Sequence, residues 1–250
     1  MVDAIVRRNI KKEQEYKDFI FCDADNATLQ VMLNEINMLG YDFNYLAELE
    51  AYRIPGAGDI VTKHIDLFVD EATRAYLLHH IVSDKVPDCD SIILSLYLHF
   101  KASNSYVSST HYSAPAHICA RYDNAFKLLK PKRIKTELVK LARNPRDVFY
   151  LPFTMRMLAS WKIPEMNNIF INLLDDSQVT MHDLGMSEDD DRFHFSSYMY
   201  IKQQLKFIAI DGLKYYPTSG TLEVLRNQLN SSDKDIVNAA KKVIVKLQSR

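Results

Sequence analysis

Apolar residues recur at spacings of three and four through long stretches of the chain, the mark of helices with one buried face. In ATLQVMLNEINML the set Leu29, Met32, Leu33, Ile36 and Leu39 falls on one side. HIDLFVDEATRAYLLHHIV does the same over residues 64–82 with Ile65, Phe68, Val69, Ala72, Tyr76 and His80 or Ile81, and it predicts one continuous helix. DSIILSLYLHF, RIKTELVKLAR, NNIFINLL, YIKQQLKFIAIDGLKYY, TLEVLRNQL and DIVNAAKKVIVKL carry the pattern to the end. No series of strands with period two competes with it. SNSYVSSTHYSAP, residues 103–115, is aperiodic and reads as a loop. The predicted class is all-α.

Prolines divide the pattern. Pro87, Pro131, Pro164 and Pro217 each precede a helical stretch, and a second helix follows each. Proline is favoured in the first helical turn, where its missing N–H costs nothing. Starting from an earlier candidate, Pro55, the successive intervals are 32, 44, 33 and 53 residues. A helix pair repeating at that length predicts an α-solenoid, in which each pair buries its apolar face against its neighbours. Residues 1–84 are helical without matching the proline pattern and read as diverged repeats or a cap. Residues 85–250 read as repeats, with an acidic insertion at about 175–196, and the whole as one continuous domain.

SSDKDIVNAAKKVIVKL, Ser231 to Leu247, resembles the second helix of a HEAT-type repeat and its approach. Asp233 and Asp235 match the acidic approach, Ile236 the aliphatic position, Ala239 and Ala240 the small pair, and Ile244 and Leu247 the apolar positions. The physics agrees, because acidic residues suit a helix N-terminus and alanines let a paired helix come close. Where the family has arginine this sequence has Val237 and Asn238. The resemblance implies a right-handed superhelix of antiparallel helix pairs, whose extended concave face binds a protein.

Composition narrows the function classes. Only 6 glycines and 8 prolines occur in 250 residues, and neither GxGxxG nor a Walker pattern is present, so no phosphate-cradling loop is expected. The net charge of -1 supplies no global pull toward nucleic acid or membrane. Cys22, Cys89 and Cys119 are widely spaced and odd in number, which predicts reduced thiols, no zinc site and a cytoplasmic protein. The N-terminal stretch lacks an apolar leader, and no run is long enough for a transmembrane helix.

Two charged stretches are the candidate binding residues. LGMSEDDDRFHF holds Glu188, Asp189, Asp190 and Asp191, flanked by Asp175, Asp176, Asp183, His182 and His194. Consecutive carboxylates with no glycine inside the run SEDDDRFHF do not fit a calcium loop, so a solvated or partner-binding insertion is expected and no metal. KLLKPKRIKTELVKLARNPR brings together Lys127, Lys130, Lys132, Arg133, Lys135, Lys140, Arg143 and Arg146 against one acid, Glu137. Such a stripe suits an acidic protein surface, a phosphate backbone, or balance against the insertion.

Some HEAT-like proteins are DNA glycosylases that use tryptophans, a carboxylate and basic residues. Here that resemblance would rest on Trp161, Asp147, Phe149, Tyr150 and Phe153. His117 and Cys119, two apart on a helix, point to different faces and do not make a nucleophile pair. The expected function is therefore a non-enzymatic protein–protein interaction module without a cofactor. A DNA-binding or DNA-repair protein of the alkylpurine glycosylase type is the alternative.

Overall fold

A computed structural model of the chain describes residues 7, 10, 11, 23–103, 113–186 and 195–249. These residues form α-helices joined by short 3-10 turns and loops, with no strand among them. They fall into two compact units, one drawn from residues 1–103 and 117–129, the other from 104–116 and 130–250. The division lies near residue 130, and residues 85–103 pack with those that precede them.

In the first unit the helices are α1 (Asp23–Asn37), α2 (Leu46–Ala51), α3 (Ala57–His64), α4 (Glu71–Asp84), α5 (Cys89–Ala102) and, from residue 117 onward, α6 (Ser113–Leu129). Helix α3 packs on α1 and α4, and α4 packs on α2 and α5. The apolar stripe of α1 is buried as expected at Leu29, Met32, Leu33 and Ile36, while Leu39 lies beyond the helix and is exposed. On α5 and α6, Tyr97 meets Tyr122 and Phe126 edge-on at 5.3 and 6.4 Å, and Phe100 stacks on Tyr122 at 6.2 Å.

The continuous helix expected over residues 64–82 is two elements. Helix α3 ends at His64, Ile65–Leu67 form a 3-10 turn, and Phe68 is extended. Helix α4 restarts behind Asp70, whose carboxylate accepts the Thr73 N–H at 2.7 Å. The buried carboxylate of Asp25, from α1, accepts the backbone N–H groups of Val69 and Asp70 and holds the break open. Ile65 and Phe68 still reach the core, so the 3.6 period runs on across a chain that has left the helix. Val69 does not reach it and is 65% exposed.

The second unit contains α7 (Lys135–Ala142), α8 (Pro145–Tyr150), α9 (Pro152–Ser160), α10 (Pro164–Leu173), α11 (Phe195–Leu213), α12 (Ser219–Asn227) and α13 (Lys234–Gln248). Pro145, Pro152 and Pro164 all stand in first turns, so the interval from Pro131 to Pro164 holds three helices rather than the expected pair. Helix α11 touches α8, α9, α10 and α13, while α7 touches α9 and α10, and α10 touches α12. A side chain on Gly212 of α11 would strike the fully buried ring of Phe170 on α10, so glycine is what allows this close crossing. Tyr216 closes the same seam by donating to the Ile163 carbonyl at 2.8 Å. Across the next seam, Thr221 of α12 bonds Asn167 of α10 at 3.1 Å.

Candidate functional site

The basic stripe divides between structural contexts. Lys127 lies on α6 in the first unit, and Lys130 onward belong to the second. Lys130 adopts φ 50°, in the left-handed region, where the chain leaves α6. Lys132 and Arg133 sit in a 3-10 turn, Lys135 and Lys140 on α7, and Arg143 just after it. Lys127, Lys130, Lys132, Arg133, Lys135, Lys140 and Arg143 are exposed, because α7 turns Leu138, Val139, Leu141 and Ala142 inward.

Arg146 does not belong with them. It is buried on α8, its guanidinium 5.9 Å from the Tyr150 ring centroid and packed against Gly185. Gly185 has φ 68°, which favours glycine, and a side chain there would have to push the Arg146 guanidinium aside. No ion pair among the described residues involves Lys130, Lys132, Lys135, Lys140 or Arg143.

Glu188, Asp189, Asp190 and Asp191 lie outside the described residues, as does His194. The flanking acids are inside them and serve local structure. Asp175 accepts from the Ser177 backbone and hydroxyl, and Asp183 from the Thr180 hydroxyl and backbone, bonds that hold both carboxyls below their usual pKa. Asp176 reaches α11 instead: Lys206 meets one carboxylate oxygen at 2.8 Å and Lys202 the other at 3.5 Å. Partial burial works to raise the Asp176 pKa, but the hydrogen bond and charge of Lys206, with Lys202 behind it, carry it below the normal value.

These lysines line a groove of about 450 Å³ between α11 and the turn from α12 to α13. Its other wall carries Asn227, Gln228, Asn230, Ser231, Ser232 and Asp233. Asp233 caps α13 by accepting the Asp235 and Ile236 N–H groups at 2.8 and 3.3 Å. Its second oxygen accepts from Gln203 of α11 at 2.5 Å, and that bond is the main reason its carboxyl stays acidic. An aspartate–glutamine contact thus ties α13 to α11.

The first unit holds a buried polar cluster that periodicity does not reveal. Glu71 contacts Arg74 at 3.2 Å and His99 at 3.6 Å. Its second carboxylate oxygen and the Tyr122 hydroxyl are buried with no hydrogen-bond partner. Burial raises the pKa of both groups. The available signal was Glu71 and Arg74 three apart just after a helix cap, a spacing common on surface helices. Nearby, His79 and His80 both approach the Leu49 carbonyl, at 3.1 and 2.9 Å, with ring centroids 3.8 Å apart.

Of the residues considered for DNA repair, Asp147 is fully buried, Trp161 is half-buried and Phe153 is exposed. His117 is exposed and Cys119 buried, the divergence their spacing predicts. Among the described residues no group of three or more His, Cys, Asp or Glu is placed to hold a metal ion. No described helix is long and apolar enough to cross a membrane.

No family model, curated protein or solved structure matches the chain.

Proposed function

We propose that this chain is a non-enzymatic protein–protein interaction module whose second unit is a HEAT-like, right-handed solenoid of antiparallel helix pairs. The order of packing supports the solenoid. Helices α7, α10 and α12 touch in sequence as one row, and α9, α11 and α13 touch in sequence as another. Each pair then shields its apolar stripe on its neighbours, as repeat architectures require. Helix α8 is an addition to the first pair, and residues 175–186 begin an expansion of the second.

The observation that carries the function is the set Lys132, Lys135, Lys140 and Arg143, exposed on α7 and at its two ends and outside every ion pair among the described residues. Cations held at a surface in this way steer an acidic partner toward its site and set which partners are rejected. A partner that carries carboxylates is therefore expected, in a cytoplasmic setting. The glycosylase form of the nucleic-acid alternative would need an accessible carboxylate beside the stripe, and Asp147 is buried.

The test is capture of partners from native lysate by the wild type and by a Lys135→Glu, Lys140→Glu variant. An acidic protein held by the wild type and lost by the variant is the expected result. Equal recovery by both would refute the stripe as an interface. Fluorescence anisotropy with duplex DNA across a salt series completes the experiment. Salt-sensitive DNA binding abolished by the same variant would replace the protein-binding reading with the nucleic-acid one.

A further inference from the structure

The groove between α11 and the α12–α13 turn already holds a fragment of peptide, and that fragment belongs to the chain itself. The side chains of Lys202 and Lys206 are only 13% and 16% exposed, so packing fixes their ammonium groups at the groove. Lys202 donates to the backbone carbonyl of Asp176 at 2.8 Å, and Lys206 donates to its carboxylate at 2.8 Å. Two lysines thus read one aspartyl residue at both its main chain and its side chain. The Asp176 side chain is 65% exposed and sits on a loop, so its hold is that of a surface ion pair, which is weak and screened by salt.

Opposite the lysines, Asn227 and Asn230 line the groove with amides, which both donate and accept and so match the N–H and C=O groups of an extended chain, while the Asp233 carboxylate on that wall is taken up by Gln203 and the first N–H groups of α13. Exposed Met199 adds an apolar contact on the same lining. The volume of about 450 Å³ lies within the range of small-ligand sites. A phosphate would only accept from the lysines and amides, whereas an extended peptide also offers N–H groups to the amide oxygens.

We infer that this groove is a docking site for an acidic peptide segment of the partner, whose Asp or Glu displaces Asp176 from Lys202 and Lys206. The inference rests on the interaction-module reading, but it places the contact at a second site, separate from the stripe on α7. Asp176 is then an internal occupant that lowers the apparent affinity for the partner and sharpens its selection for carboxylates.

The experiment is anisotropy titration of fluorescein-labelled hexa-aspartate at about 150 mM salt, where a Debye length of about 8 Å screens charges outside the groove. Asp176→Asn removes the competing carboxylate charge while keeping the Lys202 contact to the backbone carbonyl, and is expected to tighten binding by about threefold or more, while Lys202→Gln with Lys206→Gln weakens it about tenfold. The Lys135→Glu, Lys140→Glu variant should shift it by less than about threefold, because those charges lie outside the groove. Identical affinity of the wild type and Asp176→Asn overturns the proposal, as does binding by neither. So does displacement by inorganic phosphate with no peptide contact to Asn227 or Asn230. Loss of binding only in the α7 variant removes the groove while leaving the interaction module standing. Should the glutamine pair fail to fold, the Asp176→Asn comparison still decides.

Discussion

Acid should loosen the first unit through a single histidine. His80 is 1% exposed on α4, and its Nε2–H donates to the Leu49 carbonyl of α2 at 2.9 Å. Burial, and then the neighbouring His79, bring its pKa down from 6.5 to about 4. The unfolded chain therefore takes up a proton near pH 6.5, while the folded chain resists until about pH 4. The stabilisation is complete above the unfolded value and is lost as the pH falls through that window. Between pH 8 and pH 5 the differential protonation amounts to about 2 kcal/mol, or about a thirtyfold change in the opening equilibrium. Hydrogen exchange of peptides spanning α2 and α4, corrected for the intrinsic rate at each pH, reads this change directly. His80→Gln keeps an N–H donor and removes the titration. The wild type should lose about thirtyfold more protection than the variant between the two pH values. Equal losses would show that the ring is not held neutral by its burial.

Three further outcomes test the packing. Asp233→Ala removes the α13 cap and the tie to Gln203, and urea unfolding should show a loss of about 1–2 kcal/mol, most of it retained in Asp233→Asn. Phe170→Ala empties the seam between α10 and α11 and should cost about 3–5 kcal/mol by the same measurement. Tyr122→Phe removes a buried hydroxyl that has no partner, so it should be neutral or stabilising by about 1 kcal/mol; a clear loss of stability would mean the hydroxyl is satisfied in solution.

Local periodicity made the helices legible, and long-range contacts set what it missed. Leu29, Met32, Leu33 and Ile36 announced α1, and Asp233, Ala240, Ile244 and Leu247 announced α13, because a helix face is written in neighbouring residues. The break at residues 65–70 is imposed by Asp25, 44 residues before the Val69 N–H that it binds, and no local pattern carries that information. Ser113 starts a helix inside a stretch whose serines read as a loop, since serine serves both. Pro145 and Pro152 were present as signals, but their helices are too short to show a period.

At the candidate site, the exposure of Lys132, Lys135, Lys140 and Arg143 followed from the apolar residues between them. The burial of Arg146 did not, because it depends on a glycine 39 positions away. The groove was invisible in the sequence for the same reason. Asp176, Lys202 and Asn230 stand far apart in the chain and meet only through the crossing of α10, α11 and α13.

The central claim is that exposed cations on α7 and its approach meet carboxylates of a protein partner. Zero-length carbodiimide cross-linking of the captured complex, followed by mass spectrometry, tests it most directly, since this chemistry joins only lysines and carboxylates already in contact. Links are expected from Lys132, Lys135 or Lys140 to aspartates or glutamates of the partner. A complex whose links avoid all three lysines would contradict it.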